Sequence, residues 1–81
     1  MKIILSDGTE IKGSCSQEGT ELVCILHGID LVYATQLFDD PEKTKRIIFY
    51  HDGMREAFEG FKAISSLETL KNAIQIRLRE T

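Results

Sequence analysis

Two cysteines, two histidines and one acidic knot are the side chains here whose chemistry goes beyond packing. Cys15 and Cys24 flank a Gly19-Thr20 turn. If those two residues form a two-residue loop, the cysteines oppose each other in a non-hydrogen-bonded cross-strand pair, with Cα atoms about 4.5 Å apart. That is within disulfide reach. An intracellular chain keeps both as reduced, buried thiols, and without CxxC spacing they make a poor zinc site. His51-Asp52 has the sequence of half a catalytic dyad. Neighbouring strand residues point to opposite faces, however, and no Ser or Cys is placed by a motif to be activated. His27 ends another strand, beside Gly28. Asp39, Asp40 and Glu42 offer oxygens for a hard cation but no EF-hand spacing follows, and a helix-to-strand loop accounts for them. The Lys43-Thr-Lys-Arg46 run is too short for a phosphate track and is opposed by those acids. Gly-rich phosphate motifs and paired catalytic carboxylates are absent. The sequence thus assigns no catalytic, cofactor-binding or metal-binding residue, and the expectation is a protein that is not an enzyme and uses no cofactor.

Size and charge narrow the classes further. The 81 residues, 42% of them hydrophobic, make a single domain spanning residues 1–81 with one thin core. Ten basic residues stand against 13 acidic ones, a net charge of −3, which argues against nucleic-acid binding, normally marked by a basic face. Only Lys2 precedes the short Ile3-Ile-Leu5 run, so no secretory signal peptide is read. No stretch approaches the roughly 20 apolar residues of a membrane span. A soluble protein of the bacterial cytoplasm or of a phage particle is the expectation.

The elements that must position these residues are organised around Arg46-Ile-Ile-Phe-Tyr-His-Asp-Gly-Met-Arg-Glu-Ala-Phe58, two runs returning on each other through an Asp-Gly turn. A type I′ turn at Asp52-Gly53 opposes His51 to Met54, Ile48 to Ala57, Ile47 to Phe58 and Arg46 to Glu59. Apolar then meets apolar and opposite charges meet, so side chains and turn specify the same register. Both faces of this hairpin are apolar, with Ile47, Phe49 and Phe58 on one and Ile48, Tyr50 and Ala57 on the other. One of them needs cover from the helix or from another chain.

Residues 1–5 read as a first strand, and Glu10–Cys15 returns after Ser6-Asp-Gly-Thr9. A two-residue loop there opposes Ile4 to Ile11, and a three-residue loop with Gly8 left-handed opposes Ile3 to Ile11. Leu22-Val-Cys-Ile-Leu26, apolar on both faces, reads as a central strand. Asp30 caps a short helix near residues 31–38 with Leu31, Ala34, Leu37 and Phe38 as its apolar stripe, stopped by Pro41. Pro41–Lys45 is a polar loop. Phe58 and Phe61 flank Gly60, where a bulge in one continuing strand would return both rings to one side; the rival is a helix with Met54, Phe58, Phe61 and Ile64 on one face, in which Gly60 costs about 1 kcal/mol relative to Ala. A turn or single helical turn at Leu67–Asn72, suggested by the capping-box spacing of Ser65 and Glu68, precedes an alternating C-terminal strand, Ile74–Arg79. The fold expected is mainly β, bordering on α+β. It has about six antiparallel strands in a small sheet, sandwich or open barrel, with one short helix.

In this order the parts resemble a group of small proteins encoded in tailed-phage and prophage genomes of Gram-positive and gut bacteria. The resemblance is carried by the Asp7-Gly-Thr9 turn after an N-terminal strand, Leu37-Phe-Asp-Asp40 at a helix end, Ile47 to Tyr50, Phe58-Glu-Gly-Phe61, and the alternation from Ile74 to Leu78. Where that group often has Tyr at both ends of the glycine motif, this chain has Phe58 and Phe61. The resemblance implies a mainly β domain in a phage context and no transferable site residue. The function expected is a non-enzymatic structural or accessory phage protein acting through protein–protein contacts. The alternative is a small phage-encoded inhibitor that binds a host defence or regulatory protein through an acidic face. A homo-oligomer is expected too, with Ile74–Arg79 as the sheet edge through which copies meet and Arg77 and Arg79 guarding it.

Overall fold

A computed structural model describes residues 1–80. It is mainly β, with the strands β1 (Lys2–Ile4), β2 (Glu10–Glu18), β3 (Glu21–His27), β4 (Arg46–His51), β5 (Met54–Glu59), β6 (Phe61–Leu70) and β7 (Ala73–Glu80). Two short helices, α1 (Leu31–Phe38) and α2 (Pro41–Thr44), lie between β3 and β4. All seven strands belong to one antiparallel sheet in the order β5-β4-β1-β2-β3-β7-β6.

That order has β5 and β6 at opposite edges, yet only Gly60 separates them in sequence. The sheet must therefore curl until its two edges meet at one corner. A flat seven-stranded sheet would be about 29 Å wide and about 10 Å thick, whereas this molecule measures 28 × 26 × 25 Å. Two glycines make the corners. Gly60, at φ +88°, redirects the chain from one edge to the other. Gly13 sits where β2 leaves its pairing with β1 and continues along β3, a position where a strand without a side chain can bend. The concave side of the sheet holds the core. Ile3, Ile11, Leu22, Cys24, Leu26, Ile47, Phe49, Ile76 and Leu78 come from the strands, and Ala34, Leu37 and Phe38 from α1 close it.

The local readings hold where turn chemistry decides. Asp52 (φ +46°) and Gly53 (φ +74°) form the two-residue turn, and the β4–β5 register is the one read from side chains. Between β1 and β2 the three-residue alternative is adopted: Gly8 is left-handed, Leu5 N–H donates to Thr9 O at 2.9 Å, and Ile3 faces Ile11. Asp30 caps α1, its Oδ1 accepting from Tyr33 N–H at 2.8 Å.

Five expectations are corrected. The strand leading from the central hairpin does not bulge at Gly60 but ends there, so seven strands replace about six; Phe61 is buried and Phe58 packs against the same core. Leu67–Leu70 is strand, with the reversal confined to Lys71-Asn72, Asn72 at φ +64°. Ser65 and Glu68 therefore cap nothing: the Ser65 hydroxyl donates to the Glu21 carboxylate instead. Pro41–Thr44 is a helical turn rather than a loop, with Asp40 accepting from Glu42 N–H at 3.0 Å and Pro41 in the first turn, where its missing N–H costs nothing. Leu31 is not in the buried stripe of α1. Finally, β7 is no edge: β3 and β6 pair with its two sides, so copies cannot meet through Ile74–Arg79. The edges are β5 and β6. Arg55, Glu56 and Glu59 place charges along β5 that oppose indiscriminate pairing there.

Candidate functional site

The turn at Gly19-Thr20 sets Cys15 opposite Cys24, as its length requires. Their sulfurs are 3.5 Å apart, both residues are buried, and both thiols are free. The Cys15 sulfur beside it and burial push the Cys24 thiol well above its ordinary pKa, so it is a neutral core side chain and a poor nucleophile.

One carboxylate of the acidic knot, that of Asp40, serves local structure. The Asp40 carboxylate caps α2, and Asp39 donates its backbone N–H to Thr35 O at 2.9 Å to close α1. Among the described residues no group of three or more His, Cys, Asp or Glu side chains is placed to hold a metal ion. Lys43 and Lys45 lie in and after α2, and Arg46 at the start of β4 faces Glu59, 3.5 Å from its carboxylate. The run therefore forms no phosphate track.

His51 has the richest surroundings. Its ring stacks on Phe49, two residues earlier on the same face, at 4.4 Å between centroids and 13° between planes. Nε2 lies 3.4 Å from a Glu56 oxygen and Nδ1 4.0 Å from Asp52. Glu56, which the sequence reading passed over, follows from the hairpin register: it opposes Phe49 and is therefore diagonal to His51 on the same face. The open groove beside His51 is lined by Lys2, Tyr50 and Arg55 among others, and by no Ser, Thr or Cys. The arrangement orients an imidazole between two carboxylates without offering it a hydroxyl or thiol nucleophile of that kind to activate. His27, at the end of β3, has Nδ1 3.3 Å from Asn72 O and ties β3 to the β6–β7 turn.

An apolar surface that folding does not explain lies around the N-terminus of α1. Leu31, Val32 and Tyr33 are 43%, 67% and 45% exposed. Beside them runs a groove of about 430 Å³ whose walls include Ile29, Leu31, Leu70 and Ala73. The helix cannot avoid this exposure: an eight-residue amphipathic helix has one buried face, already taken by Ala34, Leu37 and Phe38. The signal was present in the sequence as three successive large apolar residues on so short a helix. Water-facing positions there favour polar residues, so Val32 and Tyr33 call for a use other than folding.

Comparison with protein-family models, with curated proteins and with solved structures gave no match.

Proposed function

We propose that this domain works by contact rather than catalysis, as a structural or accessory protein of a phage or prophage that binds another protein chain through the apolar strip at the start of α1. The observation that carries the reading is the exposure of Leu31, Val32 and Tyr33 beside the Ile29–Leu70–Ala73 groove. Contiguous apolar surface rimmed by polar residues is the usual mark of a protein interface. The phage setting rests on the resemblance carried by the turn, helix-end and glycine motifs.

The distribution of charge favours this role over inhibition through an acidic face. Four of the 13 acids pair with a lysine or arginine: Glu10 with Lys2 at 2.9 Å, Glu59 with Arg46, and Glu18 and Glu21 with Arg77 at 3.5 and 3.6 Å. A nucleic-acid mimic would instead gather its carboxylates without such partners. A second copy of the chain is among the partners such a strip accepts, and light scattering at micromolar concentration separates that case from a different protein.

The test is affinity capture from the natural host, or from phage-producing cells, with wild type and Val32→Glu. The substituted carboxylate falls in the first turn of α1, where the helix dipole favours it, so the fold is expected to survive unchanged in thermal midpoint. We expect the variant to retain roughly a tenth or less of the captured partner, as follows from burying a charge in an apolar contact. Equal capture by both proteins would remove the strip from the function.

A further inference from the structure

The strand registers draw five side chains into one row across the outer face of the sheet. Arg55 stands opposite Tyr50, Tyr50 opposite Lys2, Lys2 opposite Lys12, and Lys12 opposite His27. Arg55, Lys2, Lys12 and His27 are exposed and Tyr50 is half-buried. The Lys2 ammonium lies 5.7 Å from the centre of the Tyr50 ring. Two lysines directly opposed on adjacent strands repel each other. Glu10 compensates Lys2 at 2.9 Å, but among the described residues Lys12 and Arg55 have no ion-pair partner. In a protein whose net charge is −3, two unpaired cations in one row, and two opposed lysines within it, break the local rule that opposed residues should attract, and such breaks mark functional surface. A groove of about 670 Å³ runs along the row, with Met1, Tyr50 and Met54 supplying apolar wall. At its other end His27 reaches Asn72, on the rim of the apolar groove beside α1, so the two surfaces adjoin.

We propose that this row docks an acidic, extended segment of a partner protein, which lies across the strands over Tyr50 with one carboxylate at Lys12 and another at Arg55. Three interstrand steps separate those two residues, about 14 Å. In an extended segment, residues i and i+4 are about 13 Å apart and point to the same side, so two acids four residues apart match the two cations. A nucleic-acid strand suits the groove less, because Glu10 and Asp52 line it too and would oppose a continuous phosphate backbone. The proposal rests on the reading of the domain as a protein-contact module and names the chemistry of the contact.

The experiment is fluorescence anisotropy with a labelled short peptide carrying two glutamates four residues apart among serines and threonines. Its glutamine counterpart and a short single-stranded oligonucleotide serve as competing probes. We expect saturable binding of the glutamate peptide that weakens as salt is raised, with the other two probes at least about tenfold weaker. Lys12→Glu combined with Arg55→Glu should lose roughly tenfold for the glutamate peptide and gain affinity for the matching two-lysine peptide, a gain that a misfolded variant would not give. Equal binding of the glutamate and glutamine peptides, no saturable binding of the glutamate peptide, or tighter binding of the oligonucleotide would each overturn the proposal. Val32 is untouched in these proteins. Failure of the peptide with partner capture still dependent on Val32 refutes this surface alone, whereas failure of both refutes the protein-contact reading.

Discussion

Replacing Gly13 with alanine is expected to remove a large fraction of the domain's stability. A Cβ at that position would stand 2.0 Å from the carbonyl oxygen of Ile25 and 3.1 Å from its carbonyl carbon, with Ile3 Cδ1 at 3.3 Å on the other side. A side chain in the way could rotate, but the Ile25 backbone is fixed between β2 and β7 by its pairing with Ser14 and Gln75. Relief requires moving a strand that carries Leu22, Cys24 and Leu26 into the core. Overpacking a core commonly costs 1–3 kcal/mol and sometimes more, and a clash with a central backbone belongs at the upper end, about 3 kcal/mol or above. An 81-residue domain has roughly 4–12 kcal/mol in all. Urea denaturation should therefore show the midpoint falling by a large fraction or no folded baseline at all. Gly8→Ala is the matched control, because nothing lies within 4 Å of a Cβ there. Only the left-handed backbone is penalised, by about 1–2 kcal/mol. If the two variants were equally stable, β2 and β3 would not approach as closely as described.

Phe38→Ala should have the other large effect. Phe38 is the largest of the fully enclosed side chains among the described residues, at 0% exposure, in the last turn of α1. Helix α1 is too short to be stable by itself, so its docking depends on Phe38, Leu37 and Ala34 meeting the concave face of the sheet. Truncating an enclosed phenylalanine costs about 3–5 kcal/mol through lost burial and the cavity left behind. Leu31→Ala, at 43% exposure, should cost under about 1 kcal/mol. Calorimetry on the pair checks the contrast. Equal losses would mean that α1 is held by its outer face and that Leu31 is not available to a partner. Phe38→Ala should also weaken partner capture without touching the binding strip, since Leu31, Val32 and Tyr33 keep their places only while the helix is seated.

What could be read from the sequence was local, and what could not was long-range. The Asp52-Gly53 and Gly19-Thr20 turns, the Asp30 cap and the Cys15–Cys24 opposition follow from residues within a few positions of one another, where conformational preference and side-chain pairing decide. The pairings of β1 with β4 and of β3 with β7 join segments more than 40 residues apart. No local preference encodes them, so the row from Arg55 to His27 was invisible even though each of its residues was known. The Asp40-Pro41 signal was read as the end of one helix when it also begins another. Ser65 to Glu68 has the spacing of a helix start, and Leu67, Leu70 and Ile74 fall on one helical face. Pairing with β7 overrides both, since Ile64 and Leu67 pack on the core as strand residues while Ser65 serves Glu21. A bulge at Gly60 inside one strand was expected, whereas β5 ends before it and β6 begins after it. The role of Gly60 as the corner between two sheet edges required the whole topology.

The central claim is that the domain acts through the surface formed by the start of α1 and the β6–β7 turn. No helix among the described residues is long and apolar enough to cross a membrane. Hydrogen–deuterium exchange on the chain alone and with its captured partner tests the claim most directly. The account predicts slower uptake at residues 28–33 and 70–73 in the complex, with the enclosed strand β3 unchanged. Protection confined to β5 and the His51 turn, with residues 28–33 exchanging as in the free chain, would contradict it.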